Sequence, residues 1–170
     1  MTPCELDSHA DTCCFGPNCA VIAQTDDYVD VMGFVKSLGR KKSRIVSCAV
    51  AYDDPKTFLT YVLVFPQVLQ FEDLTEHLLC PNQLRSYGVT VNETPLKFLP
   101  AAKRSETSHA IVVPGYDLPD LVIPLESRGV FSSFQTRKPV GLELDPCHTP
   151  TYQMTSDSPW NPYDDCDAKE

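Results

Sequence analysis

Short apolar runs separated by polar and turn-forming residues set the rhythm of the first half of the chain. Cys19 to Gln24 (CAVIAQ), Tyr28 to Phe34 (YVDVMGF), Arg44 to Tyr52 (RIVSCAVAY) and Thr57 to Phe65 (TFLTYVLVF) are rich in Val, Ile, Tyr and Phe. Gly, Pro, Asp or Lys bounds each run, which predicts four strands. Between the last two, Asp53, Asp54, Pro55 and Lys56 carry the chemistry of a hairpin or long turn. Helix is scarce. The one candidate takes Asn82 as N-cap and runs through Gln83, Leu84, Arg85, Ser86 and Tyr87 until Gly88 stops it.

The pattern changes near Pro95: ten of the fifteen prolines fall at or after it. Residues 1–98 therefore read as one β domain and residues 99–108 (LPAAKRSETS) as a linker. Beyond it, HAIVVPG, DLVIPLE and GVFSSF predict short strands in an accessory β segment over 109–150, able to cover an edge of the first domain. From Glu143 onward seven acidic residues face one lysine, so residues 151–170 are expected to form an acidic, flexible tail. Within it, Trp160 reads as an aromatic that anchors the tail.

At 170 residues the chain is long enough to bury a core. Its formal net charge of −9 would repel a phosphate backbone, so no direct nucleic-acid partner is expected. The cluster Arg40, Lys41, Lys42 and Arg44 is short and reads as a solvated loop. No apolar run approaches the ~18 residues of a membrane span and no signal-peptide pattern opens the chain. The expectation is an intracellular, cytoplasmic protein without a membrane partner. The eight cysteines are then reduced. Cys4, Cys13, Cys14 and Cys19 lack paired C-x2-C knuckles, which favours buried thiols over a zinc set.

The candidate chemistry lies in ELDSHADT, where Leu6 is followed by Asp7, Ser8, His9, Ala10, Asp11 and Thr12. It can be read as a surface turn, as a D-x-H-x-D metal site, or as a loop presenting one catalytic carboxylate. A second motif, HLLCPNQLRSYGV at residues 77–89, follows some seventy residues later and places Leu78, Leu79, Cys80 and Asn82 ahead of the short helix.

Together these motifs resemble the retropepsin pattern, in which Asp-Ser/Thr-Gly-Ala after an apolar strand is joined by a late apolar pair and a short helix. The order DSHADTCC, IVSCAVAYDDP, TYVLVF, LLCPNQLRSYGV, IPLESRGVFSSFQTRKP and SDSPWNPYD is similar to a group of Copia-type retrotransposon Gag-Pol polyproteins with DSHADT in place of Asp-Ser-Gly-Ala. The resemblance covers most of the chain. It implies a mainly β, retropepsin-like small closed β-barrel with one short α-helix, followed by a Pro-rich extension with short strands. It also implies an aspartic endopeptidase that processes a polyprotein as a homodimer, with peptide as substrate and no cofactor or metal. Asp7 matches the catalytic aspartate, and Ser8 the hydroxyl residue that hydrogen-bonds across the dimer. Ala10 matches a close-packed position, and Asp11 and Thr12 the polar residues just beyond the loop. The hairpin around Asp53, Asp54, Pro55 and Lys56 is the candidate flap over the substrate.

The match departs from the family at two places. His9 stands at the family's Gly, so the loop must make room for a Cβ and an imidazole. Cys80 and Pro81 replace the Gly of the second motif and its successor, and Pro81 removes a backbone donor while suiting a helix start. Two alternatives stay open: an inactive polyprotein segment that serves as a dimerisation or binding module, and a metal-dependent hydrolase using Asp7, His9 and Asp11.

Overall fold

The computed structural model describes residues 1–33, 37 and 39–164. It is mainly β with one short α-helix. One sheet contains nine strands in the order β10-β11-β1-β6-β2-β5-β4-β3, with β12 attached to β5. A second sheet has the order β7-β8-β9. The strands are β1 (Thr2–Leu6), β2 (Cys14–Phe15), β3 (Ala20–Met32), β4 (Arg40–Asp53), β5 (Thr60–Gln70), β6 (His77–Leu79), β7 (Thr90–Asn92), β8 (Ala110–Val113), β9 (Leu121–Pro124), β10 (Glu126–Arg128), β11 (Phe131–Thr136) and β12 (Thr151–Gln153). The helix α1 spans Pro81–Ser86.

The large sheet curls without closing into the expected barrel. Its ladder runs from β10 at one end to β3 at the other. A single isolated bridge between Ala51 and Arg137 brings β4 back toward the end of β11. Arg137 reinforces that bridge with its side chain: Nε donates to Asp53 Oδ2 at 2.7 Å and Nη2 to Glu143 Oε1 at 2.7 Å. An ion-paired clamp thus stands where a barrel would have a continuous ladder.

β1 lies between two partners from distant parts of the chain. Thr2, Cys4 and Leu6 alternate inward, as a period of two requires of a strand with one buried face. On one side Cys4 pairs with Phe134 of β11, antiparallel; on the other Leu6 pairs with Leu79 of β6, parallel. Residues 109–150 therefore contribute β11 to the same sheet as the first residues, while β8 lies between β7 and β9 and pairs with both.

Strands β3 and β4 form a long hairpin. The second half of β4 buries Val46, Cys48, Val50 and Tyr52, whereas most of β3 stays on the surface. β3 is continuous across the gap expected between its two sequence runs, and Phe34 lies outside the described residues. Pro66 sits inside β5, where a proline would break a regular ladder. The register shift between the pairs Val46–Val68 and Cys48–Phe65 accommodates it, and Gln67 adopts φ 59°. The carbonyls released at this bulge are used elsewhere: Thr155 donates to Pro66 O, and Gln83 Nε2 to Gln67 O at 2.7 Å.

Two local expectations are corrected. The helix begins two residues early, with Pro81 at its first turn and Cys80 as N-cap, because proline's missing N–H costs nothing where no intrahelical acceptor exists. Asn82 instead accepts from Arg85 Nη1 at 3.2 Å. Residues 151–155 are also not part of a loose acidic tail. β12 pairs in parallel with β5, and Tyr152, Met154 and Thr155 are buried. A charge average over the segment conceals the buried Tyr152 and Met154 near its start.

Candidate functional site

The Asp7 loop is built by short-range hydrogen bonds. Where β1 ends, the Asp7 amide donates to Leu79 O at 3.0 Å, extending the β1–β6 pairing by one step. The Asp7 carboxylate then turns back on its own loop, with Oδ1 accepting the His9 amide at 2.9 Å, and the Ala10 amide donates to Asp7 O at 3.1 Å. This is turn chemistry that Asp supports through its short side chain. Asp7 is half-buried, while Ser8 and His9 are exposed.

The next residues are fastened to α1. The Cys13 amide donates to Gln83 Oε1 at 2.8 Å, and the Cys80 amide donates to Cys13 Sγ at 3.2 Å. Gln83 is almost fully buried and bonded at both ends of its amide, to Cys13 and to Gln67. It ties the loop, the helix and the β5 bulge together. Farther along, a Cβ on Gly16 would fall 2.3 Å from Leu74 O, so only glycine fits this crossing. The Gly16 amide donates to Nδ1 of buried His77 at 3.0 Å, and burial holds that imidazole down to about 4.

The loop separates two cavities. Asp7, Ser8 and His9 line a hollow of about 440 Å³ with Glu93, Thr94, Pro95, Val130 and Phe131. Asp11, Thr12 and Cys14 line a different cleft of about 500 Å³, opposite Val29, Asp30, Val31, Met32 and Ile45 of the β3–β4 hairpin. Trp160, Asn161, Pro162 and Tyr163 also line this cleft. Leu78, Leu79 and Cys80 support the Asp7 loop from β6 and the start of α1; Leu79 and Cys80 are buried, and Asn82 faces solvent.

The turn expected to act as a flap lies elsewhere. Asp53, Asp54, Pro55 and Lys56 line neither the Asp7 hollow nor the Asp11 cleft. Asp53 is held by Arg137 and Thr60, and Asp54 Oδ1 accepts the Lys56 amide at 2.8 Å. Both acids of this β4–β5 connection are thus engaged in hydrogen bonds. The element that overhangs the cleft is the β3–β4 hairpin.

Among the described residues no three His, Cys, Asp or Glu side chains converge as metal ligands would, so the D-x-H-x-D reading has no donor set there. Thiol chemistry is also disfavoured. Burial, with the charges of Asp11 and Asp7 adding to it, pushes Cys14 up to about 12, and burial raises Cys13 and Cys80 as well. No helix among the described residues is long and apolar enough to cross a membrane.

Comparison with protein-family models, with characterised proteins and with solved structures finds no match for this chain. Sequence reasoning missed Gln83, because a Gln in a six-residue helix looks like a surface residue. It also missed the hairpin residues Val29 to Met32 as a cleft wall. Their alternation with Asp30 was visible, but what the strand covers was not.

Proposed function

We propose that the chain is an aspartic endopeptidase of the retropepsin type, which cleaves polyprotein substrates as a homodimer with Asp7 contributed by each copy. The observation that carries this reading is the hydrogen bond from the Asp7 amide to Leu79 O. It joins DSHADT to HLLCPNQ across seventy residues of sequence, with Gln83 locking the same junction through Cys13. A lone carboxylate is a poor catalyst for peptide hydrolysis. Two carboxylates about 3 Å apart share one proton, because both cannot ionise together. One then takes a proton from water while the other donates to the scissile carbonyl. A two-fold axis beside the Asp7–Ser8 turn supplies the second carboxylate by symmetry.

A second reading, a dimerisation or binding module without catalysis, draws on the Asp7 carboxylate being engaged by its own His9 amide. Asp7→Asn separates the two. Asparagine keeps the acceptor for the His9 amide and hence the loop, but it cannot share the proton or activate water. Under the peptidase reading, purified Asp7→Asn protein shows the parent's circular dichroism and dimer mass but no cleavage of a peptide spanning a flanking junction at mildly acidic pH. A statine-type mimic blocks the parent, and chelators have no effect. Normal cleavage by Asp7→Asn rules out the assignment, and dimerisation of a parent that cleaves nothing leaves the binding module.

A further inference from the structure

One wall of the cleft under the β3–β4 hairpin is a peptide segment docked on the Asp11 loop. That wall is formed by the chain's own Trp160, Asn161, Pro162 and Tyr163, set against Asp11 and the apolar side chains of Val29, Val31 and Met32. Trp160 Nε1 donates to Asp11 O at 2.8 Å, and Tyr163 OH donates to Asp11 Oδ2 at 2.9 Å. Trp160 is half-buried, while Tyr163 caps the rim and is largely exposed. The segment bends between these anchors, with the Tyr163 amide donating to Asn161 Oδ1 at 3.0 Å. Two aromatic residues flanking Asn-Pro thus grip one acidic residue of the loop that follows Asp7.

We propose that this cleft is a peptide-binding groove, occupied in cis by Trp160–Tyr163, and that a peptide of similar chemistry, proline-containing with flanking aromatic residues, enters it only by displacing that segment. Three features support resident but reversible occupancy. The contacts are few and lie at the surface, so they hold the segment weakly on their own. Thr155 is buried and bonded to Pro66 O, and only four residues separate it from Trp160, which keeps the segment's effective concentration at the groove in the millimolar range. The cavity between hairpin and segment retains about 500 Å³, room for further side chains beside the occupant. Binding in the groove does not require catalysis by Asp7. Its regulatory consequence, a cleft shut until the segment leaves, rests on the peptidase reading.

The test uses the full chain and a fluorescein-labelled peptide, Ser-Pro-Trp-Asn-Pro-Tyr-Asp. Trp160→Ala combined with Tyr163→Phe removes both grips on Asp11, and this released chain should bind the probe at least ten-fold tighter than the parent by fluorescence anisotropy. Adding Met32→Asp to the released chain should remove that binding, because a charge is then placed in the apolar wall. Tyr163→Phe alone, which deletes one exposed hydroxyl and leaves folding intact, should tighten probe binding two- to three-fold. Equal binding by parent and Tyr163→Phe, no binding by a folded released chain, or binding insensitive to Met32→Asp overturns the proposal. A released chain that binds the probe yet cleaves nothing upholds the groove and fails only the peptidase reading.

Discussion

Gln83 Oε1 accepts the Cys13 amide at 2.8 Å while its Nε2 donates to Gln67 O at 2.7 Å, so one buried amide bridges the segment that follows the Asp7 turn and the β5 bulge. Gln83→Ala leaves a buried N–H and a buried carbonyl without partners. Each loss costs about 1–3 kcal/mol, giving a destabilisation of about 2–6 kcal/mol in urea unfolding. Gln83→Glu keeps the acceptor for Cys13 and loses the donor to Gln67, so it should fall between the parent and the Ala variant.

His77 makes stability sensitive to pH. Its folded value, about 4, lies below the ordinary 6.5, so the unfolded chain takes up the proton first as the solution is acidified. Stability from this group is complete above about pH 6.5, declines as pH falls toward 4 and is flat below. The full decline amounts to about 3 kcal/mol. Chemical unfolding at a series of pH values should show the slope, and His77→Asn, whose Oδ1 can accept the Gly16 amide without titrating, should flatten it.

Arg137 creates a second pH window at lower values. The guanidinium beside Asp53 and Glu143 holds both carboxyls below their usual range, so their contribution is present above the unfolded values and is lost as pH falls through the folded ones, below about pH 4. Arg137→Met should lower stability by about 1–2 kcal/mol at neutral pH, the range for a partly exposed but bidentate pair. Between pH 4.5 and 2.5 the variant should lose less stability than the parent, a difference that thermal melts at the two values will show.

The thiols should differ sharply in reactivity. Cys4 and Cys14 are pushed up to about 12 by burial, whereas Cys147 is exposed. At pH 8 the thiolate fraction of the first two is about one ten-thousandth, so iodoacetamide followed by peptide mapping should label Cys147 within minutes and spare Cys4 and Cys14 until the chain is unfolded. Rapid labelling of Cys14 in the native protein would mean that the loop opens far more often than its packing implies.

Much of the strand framework was legible because its signals are local. The Val- and Ile-rich runs, the Asp-Pro turn and the Gly88 stop each act within a few residues, and β4, β5, α1 and the strands after residue 109 follow them. Partner choice was less legible. The union of Asp7 with Leu79 was suggested only by resemblance, since nothing in the alternation of TPCEL specifies β6 on one side and β11 on the other. The turn at Asp53–Lys56 carries a strong local signal, yet a turn signal does not say which cavity it overlooks. Tyr152, Met154 and Thr155 were hidden by averaging charge over a segment whose acidic residues all follow Ser156.

The placement of β1 between β6 and β11 has a consequence for how the molecule is made. Cys4 cannot meet Phe134 until some 130 residues separate them along the chain, and β5 is not completed on its outer side until Thr151–Gln153 arrive. Such pairings carry a large loop-closure entropy and fold slowly. A nascent chain holding only residues 1–98 has β1 with a bare edge and β5 without β12, two sites where a second nascent chain could pair. The Asp7–Leu79 contact lies within the first hundred residues, but β1 and β5 gain their last partners only when residues 131–153 have emerged.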